Sequence, residues 1–137
     1  IANCKLAYAE FKRLTATARW QALAGRGARA QRVLWASTST KNPAYPDTLY
    51  IDELIGPETV NTIPPDTLKA FRDHGRTAPT LAQGLDTARQ QIDRLSELGI
   101  DLERVTRRLL EDGVAAFVKP FQALMASIGS KRQRLNP

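Results

Sequence analysis

The chain has 137 residues, 42% of them apolar, a net charge of +6 and a pI near 9.9. That is enough apolar material for one buried core, and the composition is not that of a disordered chain. No apolar run approaches the roughly eighteen residues that a membrane-spanning helix needs, no secretory pattern opens the chain, and single copies of cysteine (Cys4) and histidine (His74) exclude an internal disulfide and a clustered zinc site. The chain therefore reads as cytosolic, with a surface suited to an anionic partner: nucleic acid, a membrane surface or a phosphorylated metabolite.

In chain order, Cys4, Ala7, Tyr8, Phe11, Leu14 and Ala18 recur at three- and four-residue spacing, which predicts one amphipathic helix that Leu23 extends and Gly25 and Gly27 stop. The chain starts at Ile1 inside this helix with no cap residues before it, as expected of a truncated piece. Val33-Leu34-Trp35-Ala36 is a short continuous apolar run, the pattern of a strand buried on both faces of a parallel sheet. Ser37-Thr38-Ser39-Thr40-Lys41-Asn42-Pro43 is polar, and Pro43 disfavours helix at Asn42, so the segment reads as a loop and as the place for chemistry.

Pro46 and Asp47 suit the first turn of a short helix through Leu54, closed by Gly56-Pro57. Thr59 to Ile63 reads as a second strand, and Pro64-Pro65-Asp66 opens a helix that ends near Gly75. This alternation argues for an α/β fold with a parallel sheet, because each helix is a crossover between parallel strands. From residue 76 the pattern is helical only. Thr80-Leu81-Ala82-Gln83 has capping-box spacing ahead of a stripe of Leu81, Leu85, Ala88, Ile92 and Leu95 that stops at Gly99. Asp101 caps a shorter helix ending near Gly113. A last helix carries Val114, Phe117, Phe121, Leu124 and Ile128 on one packing face, with Pro120 as a kink or restart. The basic tail, from Gly129 to Pro137 and most strongly over 131–137, is expected to fray. Two strands neither close a barrel nor make an independent parallel sheet, so the missing strands are expected upstream.

The run from Leu34 to Tyr50, with Asp52-Glu53-Leu54-Ile55-Gly56 and Thr59-Val60-Asn61-Thr62-Ile63-Pro64, closely resembles the transaldolases, especially the longer bacterial type. The likeness extends over Ile1 to Leu23 and Leu98-Gly99-Ile100-Asp101, and weakens past Gly113. The resemblance implies that the chain is the C-terminal part of a TIM-type (β/α)8 barrel, with Val33–Ala36 as the seventh strand and Thr59–Ile63 as the eighth. It also implies an activity in the pentose phosphate pathway. A dihydroxyacetone unit passes from a ketose phosphate such as sedoheptulose 7-phosphate to an aldose phosphate such as glyceraldehyde 3-phosphate, through a lysine Schiff base and with no metal or organic cofactor.

Under the resemblance, a serine just after the seventh strand and a basic residue in the same loop hold the substrate phosphate. These map to Ser37 and Lys41, although shorter family members carry an arginine at a shorter spacing. Ser39 is a further donor. The placement suits a barrel, whose phosphates are frequently held by loops after strands seven and eight. A hydroxyl donates one hydrogen bond, and an ammonium adds charge with three donors.

The Schiff-base lysine is expected on an earlier strand, because such an amine must be desolvated in a pocket before it attacks a carbonyl. Lys5, Lys12, Lys69 and Lys119 fall on predicted helices, Lys131 in the tail and Lys41 in an exposed loop. The segment is therefore expected to belong to an enzyme without being one alone. His74 reads as a helix C-terminal cap, Asp47, Asp52 and Glu53 as dipole and surface charges, and Trp35 as core; Asn61, polar inside a strand, needs a partner. Two other classes remain open: a basic helical nucleic-acid-binding module, which leaves the strands unexplained, and a non-catalytic barrel scaffold.

Overall fold

A computed structural model describes residues 1–135. They form two bodies, one from Ile1 to Arg94 and one from Leu95 onward. The first contains helices α1 (Ala2–Thr15) and α2 (Ala18–Ala24), strand β1 (Val33–Trp35), helix α3 (Leu49–Glu53), strand β2 (Thr59–Asn61) and helix α4 (Pro65–His74). Helix α5 (Leu85–Glu97) straddles the division and α6 (Leu102–Leu135) belongs to the second body.

Strands β1 and β2 pair in parallel, with Val33, Leu34 and Trp35 opposite Thr59, Val60 and Asn61. Helix α3 lies in the connection between them, as a parallel pair requires. Tyr8, Trp35, Leu54 and Leu81 form the core cluster, with Cys4, Phe11 and Val33 packed around it. The strand is not buried on both faces in this chain: Trp35 is 8% exposed and Leu34 is 53% exposed. Side chains alternate across a strand, so the face carrying Leu34 is the one turned from the Tyr8–Leu54 layer.

Several expected elements differ. The single first helix is two, because Thr17 leaves helical geometry (ψ 147°) and its hydroxyl accepts a hydrogen bond from Trp20 N–H, capping α2. Helix α3 begins at Leu49 rather than at Pro46 and Asp47, which lie in the preceding turn. Thr80 caps no helix. Its hydroxyl donates to the Asp52 carbonyl at 2.6 Å and accepts from Ile55 N–H at 3.4 Å, while Leu81 N–H bonds the Ile55 carbonyl. Leu81 is thereby pinned as a fully buried loop residue, and α5 starts only after Gly84, which has a left-handed φ of 67°.

At its other end, α5 closes as expected at Gly99. Gly99 N–H bonds the Ser96 carbonyl and Ile100 N–H the Leu95 carbonyl, with Gly99 at φ 76°, the paired bonds of a Schellman motif.

In the second body Asp101 caps as expected, its carboxylate accepting Arg104 N–H at 3.0 Å. The two expected helices beyond it are one, since α6 runs 34 residues through Gly113 and Pro120 without a restart. The basic 131–137 tail is helical as far as Leu135, and the rest of that predicted tail lies outside the described residues. The predicted packing face is exposed, with Phe117 at 83%, Phe121 at 62% and Ile128 at 51%. Among the described residues no helix is long and apolar enough to cross a membrane.

Candidate functional site

Beyond Trp35 the chain leaves the sheet sharply. The Trp35 carbonyl still accepts Thr62 N–H at 3.0 Å, extending the ladder by one bond, and the next residues turn through Ser37, whose φ is 58°. A serine in the left-handed region is uncommon and is held there by its surroundings. The following residue is buried: Thr38 is 3% exposed, and its hydroxyl donates to Asn61 Oδ1 on β2 at 2.7 Å. Asn61 thus finds the partner that a polar strand residue requires.

The rest of the loop closes on itself. Thr40 donates to the Pro46 carbonyl at 3.3 Å, and Asn42 accepts Ala44 N–H on its side chain and Tyr45 N–H on its backbone. The result is a cleft of about 390 Å³ at the C-terminal end of β1, into which Ser37, Ser39 and Lys41 all contribute. Lys41 Nζ donates to Ser39 Oγ. Cys4 from α1, Tyr50 from α3 and Leu54 just after it supply its apolar side, and Trp35 forms part of the wall. Trp35 Nε1 is buried and has no hydrogen-bond partner among the described residues. All three residues singled out from the sequence are therefore brought together. Thr38, the residue that anchors them, was hidden in a run of similar hydroxyls, and its only signal was a lone amide in the second strand.

The remaining charged residues have other work. His74 does not cap α4 through carbonyls; its ring lies 2.9 Å from Asp47 and 3.1 Å from Asp73, and the hydrogen bonds to these carboxylates raise its pKa above the ordinary imidazole value. The same bond from His74 lowers the pKa of Asp47. Asp52 is an anchor rather than a surface charge, accepting the Thr48 hydroxyl at 2.7 Å and Arg76 N–H at 2.9 Å. Glu53 pairs with Lys5 at 3.1 Å, tying α1 to α3, and Glu58 pairs with Lys12 at 2.7 Å. Among the described residues no three His, Cys, Asp or Glu side chains are grouped to hold a metal ion.

Residues 1–128 match the family model described as transaldolase/fructose-6-phosphate aldolase. The chain belongs to this family. Similar curated proteins include a transaldolase 2 of Nostoc sp., 49% identical over 139 aligned positions that take in the whole of this chain. Transaldolases of Neisseria meningitidis serogroup C and Frankia alni are 48% and 46% identical, over 93% and 98% of this chain. The chain spans about 36% of the length of each of these relatives. Family membership accounts for the strand pair and the hydroxyl-rich loop together, which a nucleic-acid-binding module does not. Of the two local basic groups that such a module would use, Arg107 and Arg108 are engaged along α6 with Glu103 at 2.8 Å and Asp112 at 2.9 Å.

Proposed function

We propose that this chain is the C-terminal portion of a transaldolase (β/α)8 barrel, with β1 and β2 as its seventh and eighth strands, and that the Ser37–Lys41 loop holds the substrate's phosphate. The observation that carries the reading is the convergence of two hydroxyls and one ammonium, from Ser37, Ser39 and Lys41, on a single cleft at the C-terminal end of a parallel strand. Barrel enzymes place their chemistry at that end, and phosphates there are frequently held by the loops after strands seven and eight. A phosphate oxygen would replace Ser39 Oγ as the acceptor for Lys41 Nζ and take hydrogen bonds from the hydroxyls, exchanging a contact charged on one side for an ion pair and further charge-assisted bonds. Holding the phosphate fixes the far end of the sugar, so that its carbonyl reaches the reacting amine in one orientation.

Transfer of the dihydroxyacetone unit between sugar phosphates needs a lysine whose free amine attacks a ketone. No described lysine here is poised for that role: Lys5 is committed to Glu53, Lys12 to Glu58, Lys41 sits in the exposed loop against Ser39, and Lys69 on α4 and Lys119 and Lys131 on α6 are exposed. The Schiff-base lysine and the carboxylates that move protons are assigned to strands outside this chain.

Two measurements test the reading. Fructose 6-phosphate should shift the amide resonances of Ser37, Ser39 and Lys41, and unphosphorylated fructose should not; equal responses would reduce the loop to scaffold. Borohydride reduction with the same ketose phosphate should label a chain of the relatives' full length and leave the 137-residue chain unlabelled.

A further inference from the structure

We infer that Thr38 and Asn61 are positioning residues for the candidate phosphate loop, acting as a clamp that holds Ser37 in its left-handed conformation and so turns the Ser37 hydroxyl into the cleft. The clamp itself rests on the geometry alone; its consequence for ligand binding rests on the phosphate reading.

Three features make the case. Ser37 has φ 58°, a conformation an L-residue adopts at a cost of about 1 kcal/mol or more unless neighbours fix it. The residue immediately after it is 3% exposed, and its hydroxyl is committed to a carboxamide 23 residues away on the adjacent strand, at 2.7 Å. Finally, the Trp35 carbonyl, two residues before Ser37, is held by Thr62 N–H at 3.0 Å with the Thr62 hydroxyl at 3.5 Å. Ser37 is therefore bracketed by two attachments to adjacent residues, Asn61 at the end of β2 and Thr62 just after it, and the chain between them must turn within two residues, Ala36 and Ser37. A right-handed or extended Ser37 would carry Thr38 away from Asn61 and leave the buried Thr38 hydroxyl unpaired, a cost of the same order as the turn itself.

Ser37, Thr38 and Ser39 all border the cleft, but Thr38 alone is buried, with its hydroxyl spent on Asn61. With its one donor hydrogen committed to Asn61, Thr38 has none left for a ligand and acts through its neighbours. Asn61 is suited to the acceptor role because a carboxamide oxygen on a strand end is fixed by the ladder that carries it, with Trp35 opposite in the register.

The test compares Thr38→Val, which keeps the shape and removes the hydroxyl, with Thr38→Ser, which keeps the hydroxyl. Asn61→Ala serves as a second route to the same loss should the valine variant fail to fold. Readouts are the backbone carbon shifts of Ser37 and the affinity for fructose 6-phosphate, with unphosphorylated fructose as control. Thr38→Val and Asn61→Ala should move the Ser37 shifts away from left-handed values and weaken fructose 6-phosphate binding about tenfold, the size of one lost buried hydrogen bond. Thr38→Ser should restore both, and fructose should be unaffected.

Unchanged Ser37 shifts with unchanged affinity in Thr38→Val and Asn61→Ala would overturn the inference, whatever Ser37→Ala does. Ser37→Ala separates the two ideas: loss of phosphate affinity there, with no loss and unmoved Ser37 shifts in Thr38→Val, sinks the clamp and keeps the phosphate reading. No loss in Ser37→Ala, with the Ser37 shifts still moving in Thr38→Val, keeps the clamp and sinks the phosphate reading.

Discussion

Truncating Leu81 and enlarging Gly56 should be strongly coupled, because these two residues form one joint. Leu81 is 0% exposed in a loop, and its side chain lies against Gly56 in the turn before β2. Leu81→Ala removes a filled core site and should cost about 2–5 kcal/mol, a large part of the roughly 5–15 kcal/mol that holds a typical domain folded. In Gly56→Ala the new Cβ would stand 2.8 Å from Leu81 Cδ2, 3.0 Å from Leu81 Cβ and 3.3 Å from Leu81 Cγ. Real carbons do not approach so closely, so overpacking should cost about 1–3 kcal/mol. Leu81→Ala deletes Cδ2 and Cγ, relieving the closest contact, and the added methyl then occupies part of the vacated space. The double variant should therefore be about 1–2 kcal/mol more stable than the sum of the single losses. Independent sites add to within about 0.5 kcal/mol. Urea unfolding followed by tryptophan fluorescence suits the measurement, since Trp35 lies in the same cluster. Additivity within that margin would refute the joint, and with it the assignment of Leu81 to the loop rather than to a helix face.

Gly75→Ala should destabilise by about 1–3 kcal/mol in the same assay, because a Cβ there would lie 2.6 Å from the Phe71 carbonyl, a backbone atom that cannot step aside. The His74–Asp47–Asp73 cluster should make stability pH-dependent. The raised His74 pKa gives a contribution fully present below the ordinary value of 6.5 and lost as pH rises through the higher folded value. The lowered Asp47 pKa gives one present above 3.8 and lost as pH falls through the lower folded value. His74→Gln should flatten the upper limb of a plot of melting temperature against pH, and an unaltered limb would remove His74 from the linkage. Asp101→Ala should cost about 1 kcal/mol by leaving Arg104 N–H uncapped, read as reduced protection from hydrogen exchange in the first turn of α6 only. Lys41→Gln should weaken fructose 6-phosphate binding more than Ser39→Ala does, since it removes the charge as well as a donor, and the gap should close at high salt.

The amino-acid order alone determined the parallel strand pair, the loop between the strands and the three residues that meet in the cleft. These are local properties: short runs with strand-forming residues, cut off by the polar stretch from Ser37 and by Pro64, mark the strands, and a proline after a hydroxyl-rich stretch disfavours helix. Asp101 and Gly99 announced their roles for the same reason, each acting on atoms within about one turn of itself.

Tertiary structure decided the rest wherever one side chain had two partners of similar worth. Thr80 has the spacing of a helix cap, yet its hydroxyl goes to Asp52 and Ile55, 28 and 25 residues away, and Leu81 leaves the helix to fill the core. His74 stands at the end of α4, where a cap is expected, and takes Asp47, 27 residues away, instead. Four hydroxyls in a row, Ser37 to Thr40, are indistinguishable to local rules, and only the position of Asn61 on the neighbouring strand selects Thr38 as the buried one. In α6 the opposite error arose: Gly113 and Pro120 each weaken a helix locally, by about 1 and 3 kcal/mol, but a long stretch rich in Ala, Leu, Arg and Lys carries the helix through both. Hydrogen-bond strength barely depends on how far apart in the chain its partners lie. A choice between near and distant partners is therefore made by the fold, and only single-partner choices can be read beforehand.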